Sequence, residues 1–189
     1  MKLRFIWFCI CVFLGSTLTF AQDKKVDSEA LQYKLLATTR TSTMQKEIDE
    51  TAAQGYRIVV GAPTSGSEMA LFLSRDGTVD DPFKYRLLAT TRTGTMQKEL
   101  NEAADNGYRL IPSTMIAKKQ LLYGVEVVMI LERPPSPKKK YEYKLLATNR
   151  TSTLQKEVTE AKEAGYIVVG MVSRNEHMVV MERESAYVP

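Results

Sequence analysis

Three times the chain writes nearly the same phrase: LLATTRTSTMQKE from Leu35, LLATTRTGTMQKE from Leu87 and LLATNRTSTLQKE from Leu145. Repetition at a period of about fifty residues constrains the fold more than local propensity does, because each copy must reach the same local structure and bury its apolar face against a neighbour. The match runs past the phrase. It defines repeats over 33–75, 85–133 and 143–183, each passing through Gly-Tyr (Gly55-Tyr56, Gly107-Tyr108, Gly165-Tyr166) and closing on Arg75, Arg133 or Arg183. Between them lie DGTVDDP and PPSPKKK, whose Gly, Pro and clustered charge mark linkers. The polar lead 22–32 and the tail 184–189 are expected to be loose.

Within a repeat, YKLLATT alternates as a strand does. Its Tyr33, Leu35 and Ala37, with Ile58 and Val60 further on, are expected to face the helix. That helix follows at once. Ser42 or Thr43 is available as N-cap, with Gln45 in the capping-box position; where Gly94 replaces the serine, Thr95 takes the role. Met44, Ile48 and Ala52, and Met96, Leu100 and Ala104, recur at helical spacing and predict one narrow buried stripe per helix, as do Leu154 and Val158. Gly55, Gly107 and Gly165 stand where a helix ends in the left-handed region. Two strands follow, YRIVVG and MALFLS in the first copy, joined by APTSGS.

The expected fold is therefore α+β: three tandem β-α-β-β repeats, each a three-stranded mixed sheet with one helix, packed into one compact body. Crossover rules make the first two strands of a repeat parallel, with the third lying between them. The face opposite the helix is apolar as well, through Leu36, Val59 and Phe72 and their counterparts Leu88, Ile111, Leu146 and Val169. A one-sided sheet would be polar there. The expectation is that the three sheets bury these second faces against one another, or pair edge to edge, with the helices outside.

The N-terminus reads Lys2 and Arg4, the apolar run FIWFCICVFLG, then STLTFA, the order of a secretory signal peptide over 1–21 cleaved after Ala21. The run is shorter than the roughly 20 residues that span a bilayer. Export would place the chain in a secreted or periplasmic compartment, with no membrane span after cleavage. Cys9 and Cys11, the two cysteines of the chain, would leave with the signal. A thiol-free mature chain excludes disulfides, cysteine nucleophiles, zinc ribbons and iron–sulfur centres. The formal net charge of +4 shrinks with the loss of Lys2 and Arg4 and leaves no nucleic-acid footprint. No motif implies a cofactor or a metal.

YEYKLLA at the start of the third copy, the helix ending in EAGY, the apolar strand after it and the closing VVMER together resemble the small bacterial domain-of-unknown-function family numbered 4177. The resemblance covers nearly all of 22–189, three times over. It implies a fold and no activity. Departures are Tyr56, Tyr108 and Tyr166 in place of the family's tryptophan, and Arg57, Arg109 or Ile167 in place of the glutamate that follows it.

The candidate ligand site answers the repetition itself. Arg40-Thr41, Arg92-Thr93 and Arg150-Thr151 precede helices whose first turns carry Lys46, Lys98 and Lys156. Free N–H groups, hydroxyls and a guanidinium at a helix start suit an anionic ligand, although Glu47, Glu99 and Glu157 dilute the field. The competing reading is a strand end and a helix cap kept for the fold. The second repeat is the longest, through STMIAKKQLLYG, whose Ile116, Leu121, Leu122 and Tyr123 either cover the core or meet a partner. His177 and Ser173 lack the base, carboxylate and oxyanion hole that a hydrolase assembles. These features point to a non-catalytic binding or interaction protein of the envelope or extracellular space, engaging a protein or an anionic group, with oligomers compatible with the repeats. The alternatives are a small carboxylate-dependent hydrolase and a purely structural envelope component.

Overall fold

A computed structural model describes residues 32–64, 66–75, 79–120 and 124–186. The expected signal peptide, the lead up to residue 31, Leu121, Leu122, Tyr123 and the last three residues of the tail lie outside them. Strand β1 (Tyr33–Thr38), helix α1 (Thr41–Ala52) and strands β2 (Tyr56–Pro63) and β3 (Met69–Arg75) form the first segment. The second comprises β4 (Lys84–Thr90), α2 (Thr93–Asp105), the short β5 (Arg109–Leu110), a 3-10 turn (Pro112–Thr114), β6 (Ile116–Gln120) and β7 (Gly124–Arg133). The third comprises β8 (Lys139–Thr148), α3 (Thr151–Glu163), β9 (Ile167–Ser173) and β10 (His177–Ala186).

Each segment makes its own sheet, with the last strand in the middle: β1-β3-β2, β4-β7-β5 with β6 also on β7, and β8-β10-β9. Every neighbouring pair is antiparallel. The expected central strand is correct. The expected mixed sheet is not, because that strand separates the two parallel ones. The tail is ordered further than expected, since β10 runs to Ala186 opposite Lys139.

The glycine expectation holds: Gly55, Gly107 and Gly165 have φ of 82°, 81° and 88° and end their helices. The cap expectation does not. The helices start two or three residues earlier than Ser42, Thr43 or Thr95 would require, with Arg40, Arg92 and Arg150 at the N-cap and no side-chain cap bond. Instead the hydroxyls of Thr38, Thr90 and Thr148 accept from the backbone N–H of those arginines and fix the corner between strand and helix.

The faces are also reversed. Leu36, with Leu71 and Leu73, packs on Met44 and Ile48 of α1, while Tyr33 and Leu35 lie on the far face beside Phe72. Both faces of β1 are apolar, so alternation alone could not assign them. A bulge at Val59 then puts Ile58 on the helix face and Val60 on the other. The corresponding register break in the second segment is widened by the 3-10 turn, where Pro112 offers no N–H to the ladder.

Nor are the helices all outside. The stripe of α1 shares one cluster with Tyr85, Val128 and Ile130 of the second sheet. The stripe of α2 likewise meets Tyr143, Met178 and Val180 of the third. Sheets and helices therefore alternate, and the rear face of one sheet covers the helix of the segment before it. The cluster under α3 holds third-segment residues alone.

Candidate functional site

The two joints between segments use the same side chains. β4 is a sheet edge, with backbone groups that need partners. Gln45 of α1 supplies them: its amide donates to Tyr85 O at 3.2 Å and accepts from Leu87 N at 2.7 Å. Gln97 of α2 does the same for β8, donating to Tyr143 O at 2.8 Å and accepting from Leu145 N at 2.6 Å. Asn101 adds a second pair, to Tyr143 O at 3.1 Å and from Tyr143 N at 2.8 Å. A planar amide carries one donor and one acceptor on the same side, so it stands in for the next strand. Sequence reasoning assigned this glutamine to a capping box. The signal against that was present: Gly94 removes the hydroxyl half of the box, yet Gln97 stays.

The tyrosine of each receiving strand reaches back across the joint. Ile58 N donates to Tyr85 Oη at 3.3 Å, and Leu110 N to Tyr143 Oη at 2.8 Å. Beside them a bidentate ion pair spans each joint, Arg57 to Glu132 at 2.6 and 3.0 Å and Arg109 to Glu182 at 2.8 and 3.2 Å. Arg57 lies over the Phe83 ring and Arg109 over the Tyr141 ring. Glu182 is buried and also accepts from Tyr143 Oη at 2.9 Å. Burial, then the neighbouring carboxylate, raise the Tyr143 hydroxyl far above the ordinary tyrosine range. The hydrogen bond to Glu182 holds Arg109 in its charged form. The phenol therefore stays a proton donor and Arg109 a cation, which suits a fixed clasp.

The strand–helix corners, where an anion was expected, are met by cations from the following segment. Lys118 of β6, itself buried, donates to Thr39 O at 2.8 Å and pairs with Glu126 at 3.4 Å. Arg174 donates to Thr91 O at 2.7 Å and to Thr93 Oγ1 at 2.8 Å, and pairs with Glu176. Thr93 Oγ1 in turn donates to Glu176 at 3.1 Å. Thr41 is half-buried, and Arg40, Arg92, Arg150 and Thr151 are exposed. Lys46, Lys98 and Lys156 point along their helices to Glu50, Glu102 and Glu160. No helix start gathers its arginine, threonine and lysine on one ligand position. A cleft of about 580 Å³ runs between the corners at Thr91 and Asn149, and the arginine that lines it, Arg174, is already paired.

The arm of the second segment covers the core. Ile116 is buried in the first cluster, Thr114 is buried beneath β7, and Ser113 donates to the bulge carbonyl of Val59 at 2.8 Å. Ile116 is thus not presented to a partner. Ser173 Oγ lies 3.1 Å from His177 Nδ1 on the surface. Among the described residues no cluster of His, Cys, Asp and Glu could hold a metal, and no helix is long and apolar enough to cross a membrane.

Two carboxylates held by arginines make stability fall in acid. The Arg174 guanidinium, with help from Thr93 and against burial, holds Glu176 below the ordinary carboxylate value of 4.5. Tyr166 and Arg183 do the same for Glu142. A carboxylate depressed in the fold contributes stability above 4.5 that is lost as pH falls through the folded value. Melting temperature recorded from pH 7 down to about pH 3 should drop less steeply in Glu176→Gln and in Glu142→Gln, and least steeply with both.

No family model, curated protein or solved structure matches the chain.

Proposed function

We propose that the chain is an exported, non-catalytic interaction protein built from three tandem β-α-β-β modules, akin to the small bacterial domain-of-unknown-function family numbered 4177, and that it acts through the surfaces its own joints leave uncovered. The observation that carries this reading is the use made of the repeated phrase. Its leucines, glutamines and threonines join one segment to the next, and the remaining copies of the same groups stand exposed at the two ends of the stack. Tyr33 and Leu35 at one end, and Ile167, Val168 and Met171 at the other, are large apolar side chains in contact with solvent. Contiguous apolar surface of this kind marks interaction sites on soluble domains. Engagement of anionic groups is confined in this reading to the third helix start, where Arg150 and Thr151 are exposed. Capture from an envelope extract on the immobilised chain, with Leu35→Asp and Val168→Asp chains alongside, tests the reading. Retention by the unaltered chain and loss in at least one variant is expected; identical eluates from all three would end it.

A further inference from the structure

We infer that the chain associates head to tail with further copies of itself, the α3 face of one copy seating on the β1 edge and rear sheet face of the next. This rests on the reading of the protein as an interaction module and names its partner.

The joint to be made is one the chain already makes twice. Its donor half is a helix glutamine, an apolar stripe and a strand N–H; its acceptor half is an edge strand with a tyrosine and a leucine, backed by an apolar residue of the central strand. In the first joint Gln45 meets Tyr85 and Leu87, and in the second Gln97 meets Tyr143 and Leu145. Each half is left over once. Gln155 holds the register of Gln45 and Gln97 but is exposed, its amide reaching only as far as Thr159 Oγ1 at 3.5 Å. Val168, in the place of the buried Ile58 and Leu110, is 52% exposed. Leu154 and Val158 are half-buried where Met44, Ile48, Met96 and Leu100 are fully buried. At the other end Tyr33 is 55% exposed, against 5% for Tyr85 and 2% for Tyr143. Leu35 is 60% exposed and Phe72, paired with it as Ile130 is with Leu87, is 41% exposed. β1 is a sheet edge.

Stacked modules that stop need terminal faces that are polar, and the two end faces here remain apolar. The clasp is altered, and on both sides at once: Ile167 stands where Arg57 and Arg109 stand, and Ser74 where Glu132 and Glu182 stand. Losing one partner would leave an unpaired charge in the joint; losing both replaces an ion pair by neutral groups, which costs little. The ends therefore remain compatible with each other. The contact is heterologous, so repetition gives a closed ring or an open filament.

The test is sedimentation velocity of the full chain from about 1 to 100 μM, a range that spans ordinary module affinities. The unaltered chain should sediment faster as concentration rises. Leu35→Asp blocks the acceptor end and Val168→Asp the donor end, and each should weaken association at least about tenfold by forcing an unpaired carboxylate into an apolar joint. Equimolar mixing of the two variants should yield one-to-one dimers, because each keeps the end the other lacks. Ile167→Arg should weaken association and Ile167→Arg with Ser74→Glu should restore it. Both end variants lie at exposed positions, and unchanged melting temperatures at low concentration will confirm that they fold. A chain that stays monomeric throughout, or whose association ignores these changes, overturns the inference. Monomers that still capture a different protein through the same residues overturn it while leaving the proposed function standing.

Discussion

Ile130→Ala is expected to cost about 2–5 kcal/mol of unfolding free energy, the range for emptying a packed core position. Ile130 is fully buried, lies on the rear face of β7 and fills the first cluster together with Met44 and Ile48 of the preceding segment. Phe72→Ala supplies the control. Phe72 occupies the matching register position on β3, opposite Leu35 as Ile130 is opposite Leu87. Phe72 is 41% exposed, so part of its surface stays in water in the fold and its removal should cost clearly less than that of Ile130. Urea denaturation at a dilution where the chain is monomeric measures both. Equal losses would mean that the rear faces do not differ in coverage and that the alternating stack is wrong.

The second large effect is expected at Gln97. Its amide satisfies Tyr143 O and Leu145 N on the edge of β8. Gln97→Ala strips both from a partly buried strand, and an orphaned backbone group costs about 1–3 kcal/mol. Asn101 still serves Tyr143 O, so the loss falls chiefly on Leu145 N. Amide exchange at Leu145 should therefore quicken more than at Tyr143. Gln155→Ala, the same substitution on the uncovered helix, should stay within about 0.5 kcal/mol in the monomer. A Gln155 variant that destabilised as much as the Gln97 variant would show that these glutamines serve their own helices and not the neighbouring sheet.

Much of this arrangement was legible beforehand. The element order of the first and third segments, the central position of each last strand and the glycine at each helix end followed from repeat alignment, connection rules and backbone freedom, while the split strand and 3-10 turn of the second segment did not. What misled was symmetry within a strand. Leu35 and Leu36 are equally apolar, so the alternation that separates core from solvent in a one-sided sheet is absent from β1. Gln45 was misread for a related reason: three residues beyond Ser42 it fits a local cap, while its real partners, Tyr85 O and Leu87 N, lie in the next segment. Arg57 and Arg109 stand out in the sequence, but their carboxylates, Glu132 and Glu182, are far off in the chain. The anion reading of Arg92-Thr93 failed to foresee Arg174, which arrives from the following hairpin.

The amino-acid sequence alone determines that three like segments exist, what local structure each adopts, and that each has two apolar faces too large for itself. These follow from short-range terms: helical and strand periodicity, left-handed glycines, and hydroxyls at corners. Only the tertiary structure decides which face meets which helix, and so that sheets and helices alternate in the order of the chain. That choice belongs to contacts between residues distant in sequence, an amide against a strand edge and an arginine against a glutamate one segment on. It leaves one helix face and one sheet face without a counterpart because a linear stack of like joints always has two ends.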